Sequence, residues 1–159
     1  MPTSYQIDVA EQLVRTRAWG ELSDRHVRDH FHHLVADPRF RPDFRQLTNL
    51  DEVTNFTITH WMIAEAASWP VFDMGTRRAI VGESDIAFGL ARMFSLNAER
   101  VGHCVRAFHR ESDAQAWIDS PPDPVREPDV ARPASTSRII ATVLHAPHAP
   151  LPAESATAS

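Results

Sequence analysis

The chain has 159 residues, enough to build one hydrophobic core and too few to suggest two, and 43% of them are hydrophobic. A formal charge of −5 and a pI near 6.0 exclude the concentrated basic face that a nucleic-acid binder needs to neutralise phosphates. Cys104 is the single cysteine, which excludes an internal disulfide and a cysteine-based metal framework. No stretch has the look of a leader or of a bilayer span, so the cytoplasm is the expected compartment.

Tyr5, Ile7 and Val9 alternate with polar residues, Glu11-Gln12 interrupt them, and Leu13 to Trp19 resumes a strand-like run before Gly20. This pattern predicts a β-hairpin. Ser23 suits a helix N-cap, and Val27, Phe31, Leu34 and Val35 fall on one face of a helix that stops at Asp37-Pro38. Phe44 to Leu50 reads as a third strand closed by an acidic turn at Asp51-Glu52. Thr59 can cap a second helix over Trp61, Met62, Ile63 and Ala66, ended near Trp69-Pro70. From Arg77 to Ile118 the order becomes β-α-β-α. A short apolar run centred on Ile80 leads to a helix over Ser84–Ser95, with Ile86, Leu90, Met93 and Phe94 as its face. A β-rich run over His103–Phe108 follows, and then a helix over Ser112–Ile118 with Ser112 and Gln115 as a capping box. Gly89 inside the third helix predicts close approach to the sheet. The four tryptophans read as core or half-buried, with Trp69 beside Pro70 the one to check for exposure.

Beyond Ser120 the composition changes, with eight of the twelve prolines between Pro121 and Pro152. The expected organisation is an α/β domain over residues 1–119 and a Pro/Ala/Ser-rich disordered tail over 120–159, interrupted by the β-prone run Ile139–Leu144.

The hairpin-then-βα order resembles that of the SpoIIAA-like proteins, relatives of the STAS domain of anti-sigma-factor antagonists. The likeness rests on Arg78-Ala79-Ile80-Val81, on Phe88-Gly89-Leu90-Ala91-Arg92-Met93-Phe94, and on Val105-Arg106-Ala107-Phe108 followed by Ala114-Gln115-Ala116-Trp117-Ile118. It spans about Tyr5 to Ile118. It implies a mixed sheet of about five strands with about four helices, and a module that works by binding another protein. Some STAS members are switched by phosphorylation of a serine in an Asp-Ser-x-Gly context after the third strand. The matching region here is Thr54-Asn55-Phe56-Thr57-Ile58-Thr59, where Thr57 and Thr59 are the hydroxyls near that place and either also serves as an N-cap.

Chemistry-bearing residues are few. His26 and His30 have the i, i+4 spacing that a divalent ion can use, and with His33 they run along one helix edge, which reads as a solvated flank. Gly82-Glu83-Ser84-Asp85-Ile86 sits where a nucleophile elbow would be but lacks the second glycine, so Ser84 reads as a helix cap. Asp51, Glu52, Thr57, Glu83, Ser84, Asp85 and His109 fall at the carboxyl ends of the strands and form the expected binding rim. Arg77 and Arg78 can anchor an anion, yet at a strand entrance they read as solvated charges, and all 16 basic residues are arginine, which weakens any single arginine as a signal. No cofactor motif is present. The expected function is a non-enzymatic protein-interaction or regulatory module that binds another protein or a regulatory ligand on its helix faces and the carboxyl rim of its sheet, with a homodimer among the partner arrangements left open. One alternative is a binder of a small apolar molecule or lipid, favoured by a cavity around Phe56, Trp61, Met62 and Phe72. The other is a metal-assisted enzyme using the first-helix histidines.

Overall fold

The computed structural model describes residues 2–121. Alternation in the opening segment folds as expected: β1 (Thr3–Asp8) and β2 (Leu13–Leu22) form an antiparallel hairpin. Gln12 takes a positive φ of 52° in the turn. The chain continues through α1 (Asp24–Ala36), β3 (Arg45–Phe56), α2 (His60–Ser68), β4 (Arg77–Val81), α3 (Asp85–Arg100), β5 (Cys104–Phe108) and α4 (Glu111–Asp119). The sheet order is β1-β2-β3-β4-β5, and every pair after the hairpin is parallel. The expected five-stranded mixed sheet with four helices is therefore the observed one.

Each of α1, α2 and α3 joins a strand to its next parallel neighbour in the same direction. Right-handed crossovers consequently put all three on one face of the sheet. Strand alternation supplies that face with Val14, Ala18, Leu50 and Ile80, which pack beneath Phe31, Leu34, Met62, Ala66, Ala87 and Ala91 of the helices. Among the described residues the opposite face is covered by α4, whose Ala114 and Ile118 pack on Leu13, Leu47, Ala79 and Val81.

Several local expectations are corrected. Asp51 and Glu52 make no turn: β3 runs through them to Phe56, paired with β2 across two register shifts, and the ladder rather than side-chain propensity carries that polar stretch. The buried stripe of α3 is Ala87, Ala91, Ser95 and Ala98, leaving Ile86 67% exposed. Gly89 has open space where a Cβ would stand. The close approach occurs instead at Gly82, where a Cβ would lie 2.7 Å from the Ala87 carbonyl carbon. No Ser112 capping box forms, because α4 begins one residue earlier with Arg110 in the cap position and no side-chain cap. The box is found on α1, where Ser23 Oγ accepts from the His26 backbone and His26 Nδ1 accepts from the Ser23 N–H. Trp69 is buried, and the exposed tryptophans are Trp61, at 77%, and Trp19, at 40%.

The tail expected over 120–159, with its run at Ile139–Leu144, lies outside the described residues except for Ser120 and Pro121. Their carbonyls accept hydrogen bonds from the Arg77 guanidinium at 2.9 and 3.0 Å. Among the described residues no helix is long and apolar enough to cross a membrane.

Candidate functional site

Beneath the three-helix face the inward positions of the central strands are not all apolar. Thr16 of β2, Gln46 of β3 and Arg78 of β4 share the face of Val14, Ala18 and Ile80, and Gln46 and Arg78 are register partners. They form a chain of contacts. The Arg78 Nε donates to Gln46 Oε1 at 3.1 Å, Gln46 Nε2 donates to Thr16 Oγ1 at 3.3 Å, and Thr16 Oγ1 lies 3.5 Å from His30 Nε2 of α1. All four side chains are buried.

Arg78 is 3% exposed. Burial alone pushes its guanidinium down to about 9, so it remains a cation at neutral pH. No carboxylate lies within ion-pair distance of it among the described residues. Its Cζ lies instead over two rings, 4.3 Å from the Phe72 centroid and 5.4 Å from that of Phe94. Burial pushes His30 down to about 4, with His33 and Arg78 adding repulsion, so this imidazole is neutral at pH 7. Tyr5 and Phe31 meet its ring edge to face. Desolvation and the charge of Arg78 also lower His103, whose Nδ1 is buried with no hydrogen-bond partner among the described residues. Two expectations thereby fail: His30 is not on a solvated flank, and Arg78 is not a solvated strand-entrance charge.

The network forms the polar end of a partly enclosed cavity of about 110 Å³. The rest of its lining is largely apolar, including Leu22, Leu50, Ile63, Ile80, Ala91 and Phe94. Thr16, Gln46 and Arg78 mark its deep end. Phe56 and Ile58, half-buried at the end of β3 and just beyond it, and Val27 and Leu90, near the starts of α1 and α3, gather at the carboxyl ends of the strands. Of the four residues expected around an apolar cavity, Phe56 lines it. Met62 and Phe72 belong to the core cluster beside it, and Trp61 faces solvent.

The rim residues are divided among separate local tasks. Asp51 Oδ1 accepts from the Glu83 N–H at 2.8 Å, Ser84 Oγ caps α3 by accepting from Ala87 at 3.2 Å, Asp85 occupies the first turn of that helix, and His109 stacks on Phe88 with centroids 3.7 Å apart. Glu52 is engaged elsewhere, by Arg17. Thr57 Oγ1 donates to Glu21 at 3.2 Å. Thr59 Oγ1 caps α2 and donates to Asp24 Oδ2 at 2.7 Å, so a phosphate on that hydroxyl would meet a carboxylate. His26 is held in its capping box. Among the described residues no three His, Cys, Asp or Glu side chains are grouped so as to hold a metal ion.

A search against protein-family models finds no match, and none is found among curated proteins. Among solved structures the chain is similar to an uncharacterised protein of the DUF3478 family with a SpoIIAA-like fold from Shewanella loihica PV-4. The two are 16% identical with a TM-score of 0.50, over 73% of this chain and 93% of that one. The hairpin, the three crossovers on one face and this likeness together define an α/β protein of SpoIIAA-like fold. That likeness establishes the fold alone.

Proposed function

We propose that this chain is a non-catalytic, cytoplasmic ligand-binding module, in which residues 1–119 are the working domain and 120–159 an appended tail. The observation that carries this reading is the apolar cavity inside the three-helix face, half-enclosed and lined almost wholly by apolar surface. Apolar surface in such a cavity is hydrated when free, and an apolar ligand entering at the carboxyl ends of the strands would remove it from water. The volume suits a body of about six carbon atoms, since apolar cavities somewhat larger hold a benzene ring.

The test is a titration of the full chain with 1-hexanol, followed by methyl NMR. Resonances of Leu50, Ile63 and Ile80 are expected to shift together and saturably, and Ala91→Leu, which fills the cavity, is expected to abolish the shifts. Unmoved methyls at millimolar hexanol would refute the reading.

The protein-partner reading keeps one specific support. Trp61 and Ile86, each in the first turn of its helix, are 77% and 67% exposed. A second copy of the chain is the partner that can be tested directly. Sedimentation velocity would show a dimer that Trp61→Ser disrupts, and a monomer at all concentrations would remove that version of it.

A further inference from the structure

Granting the ligand-binding reading above, we infer that the ligand is a monocarboxylic acid with an apolar body, bound head-inward with its carboxylate on Arg78. The deep end of the cavity carries a charge that the fold leaves unmatched. The guanidinium offers five N–H donors and finds one acceptor among the described residues, Gln46 Oε1. Ring faces attract a cation but accept no in-plane hydrogen bonds, so Phe72 and Phe94 do not substitute for an anion.

The net charge of the site selects among anions. His30 and His103 are the histidines that feel the charge of Arg78, and both are neutral at pH 7 because burial and Arg78 itself oppose their protonation. The pocket therefore presents a single positive charge. A carboxylate cancels it, whereas a doubly charged phosphate monoester would leave an unpaired buried negative charge. Geometry points the same way, since the planar fork of a guanidinium matches the two oxygens of a carboxylate. His30 Nε2 is only 3.5 Å from Thr16 Oγ1, at the limit of a hydrogen bond. Its weak engagement there leaves it available as a neutral donor to a second oxygen. The apolar lining then takes the body of the acid, directed towards Phe56 and Ile58.

Hexanoate and 1-hexanol share a body and differ in the head, which makes them the discriminating pair. Calorimetric titration of the full chain at pH 7 is expected to give hexanoate at least tenfold tighter binding than hexanol. Acetate, a head without a body, is expected not to bind. Arg78→Met is expected to remove the advantage of hexanoate while leaving hexanol binding in place. A second readout uses the unaltered protein: the Arg78 Nε–Hε resonance in ¹⁵N NMR moves with hexanoate and stays still with hexanol. Equal affinities for the two probes with a still Arg78 resonance would overturn the head-group assignment and leave the apolar-ligand reading intact. Binding of neither probe would sink both. A preference for hexanoate that survives in Arg78→Met would place the anion elsewhere and overturn the assignment.

Discussion

Replacing Arg78 with methionine separates a residue that holds the fold together from one retained at a cost to it. Lowering a guanidinium from 12.5 to about 9 corresponds to about 5 kcal/mol of penalty on its charged form. Against this stand the contacts with Phe72 and Phe94, together about 1–2 kcal/mol. The hydrogen bond to Gln46 contributes about 1.5–3 kcal/mol. The balance leaves the cation unfavourable by about 1 kcal/mol in the ligand-free protein. Arg78→Met keeps an unbranched apolar stem between the same two rings and removes the charge. The variant is expected to unfold in urea at a higher midpoint, with an unchanged slope and a stability gain of about 1 kcal/mol at pH 7. The orphaned Gln46 Oε1 acts against this gain, so Arg78→Met/Gln46→Leu serves as the companion measurement. A loss of 2 kcal/mol or more in both variants would show that Arg78 is a structural keystone whose charge the fold compensates.

The neutral state of His30 sets a pH dependence. Its folded-state value of about 4 lies below the ordinary 6.5 of the unfolded chain, so between these values the unfolded chain holds the extra proton. Stability from this group is complete above pH 6.5 and is lost as pH falls towards 4, by at most about 3 kcal/mol. The groups that face it, Arg78, His33 and the Tyr5 ring, offer no negative charge to offset this. His30→Gln should flatten that limb in urea titrations at pH 4.5, 5.5 and 7; an equal slope in the variant would assign the loss to other groups. The two glycines of the β4–α3 region should respond in opposite directions. Gly82→Ala drives a methyl onto the Ala87 backbone and is expected to lower stability by about 1–3 kcal/mol. Gly89→Ala fills open space on a helix and should raise stability by up to about 1 kcal/mol, with thermal denaturation as the check for both. Thr59→Ala removes the α2 cap and is expected to cost about 1 kcal/mol in the same assay.

The order of elements was legible because glycine, proline and capping hydroxyls punctuate apolar runs of two different periods. The α2 boundary at Thr59 shows this directly, since Thr59 Oγ1 accepts the expected capping bond from Met62. Strand β3 shows the limit. Asp51, Glu52, Thr54 and Asn55 look like loop residues, and only the ladder to β2, a contact distant in sequence, makes them strand. The phase of α3 is hidden in the sequence for a related reason. Ranking side chains by size favours Ile86 and Met93, whereas packing against the sheet takes the small Ala87, Ala91 and Ala98 and leaves Ile86 outside.

The polar floor of the cavity had left a trace in the sequence. His30 occupies the i+3 position between Val27 and Leu34 on the apolar stripe of α1, and Arg78 shares strand parity with Ile80, as Gln46 does with Leu50. Those phases place all three inward. An excess of arginine and a cluster of surface-looking histidines obscured them, because charge in the sequence suggests solvent unless parity is followed residue by residue.

The two faces of the sheet make the point physically. One residue along from Val14, Gln46 and Arg78, the same strands present Leu13, Leu47 and Ala79 to α4, and that face closes without a polar atom from these side chains. A chain able to build an apolar floor on one side has nevertheless set a cation, an amide, a hydroxyl and an imidazole on the other, beneath its three helices. The same place carries the apolar cavity. An exposed apolar lining and a buried charge with no carboxylate partner among the described residues are separate costs, and nothing in packing requires them to coincide. A ligand with an apolar body and a single negative charge removes both at once. Either half of such a molecule removes only one, which is why hexanol and acetate are each expected to bind less tightly than hexanoate.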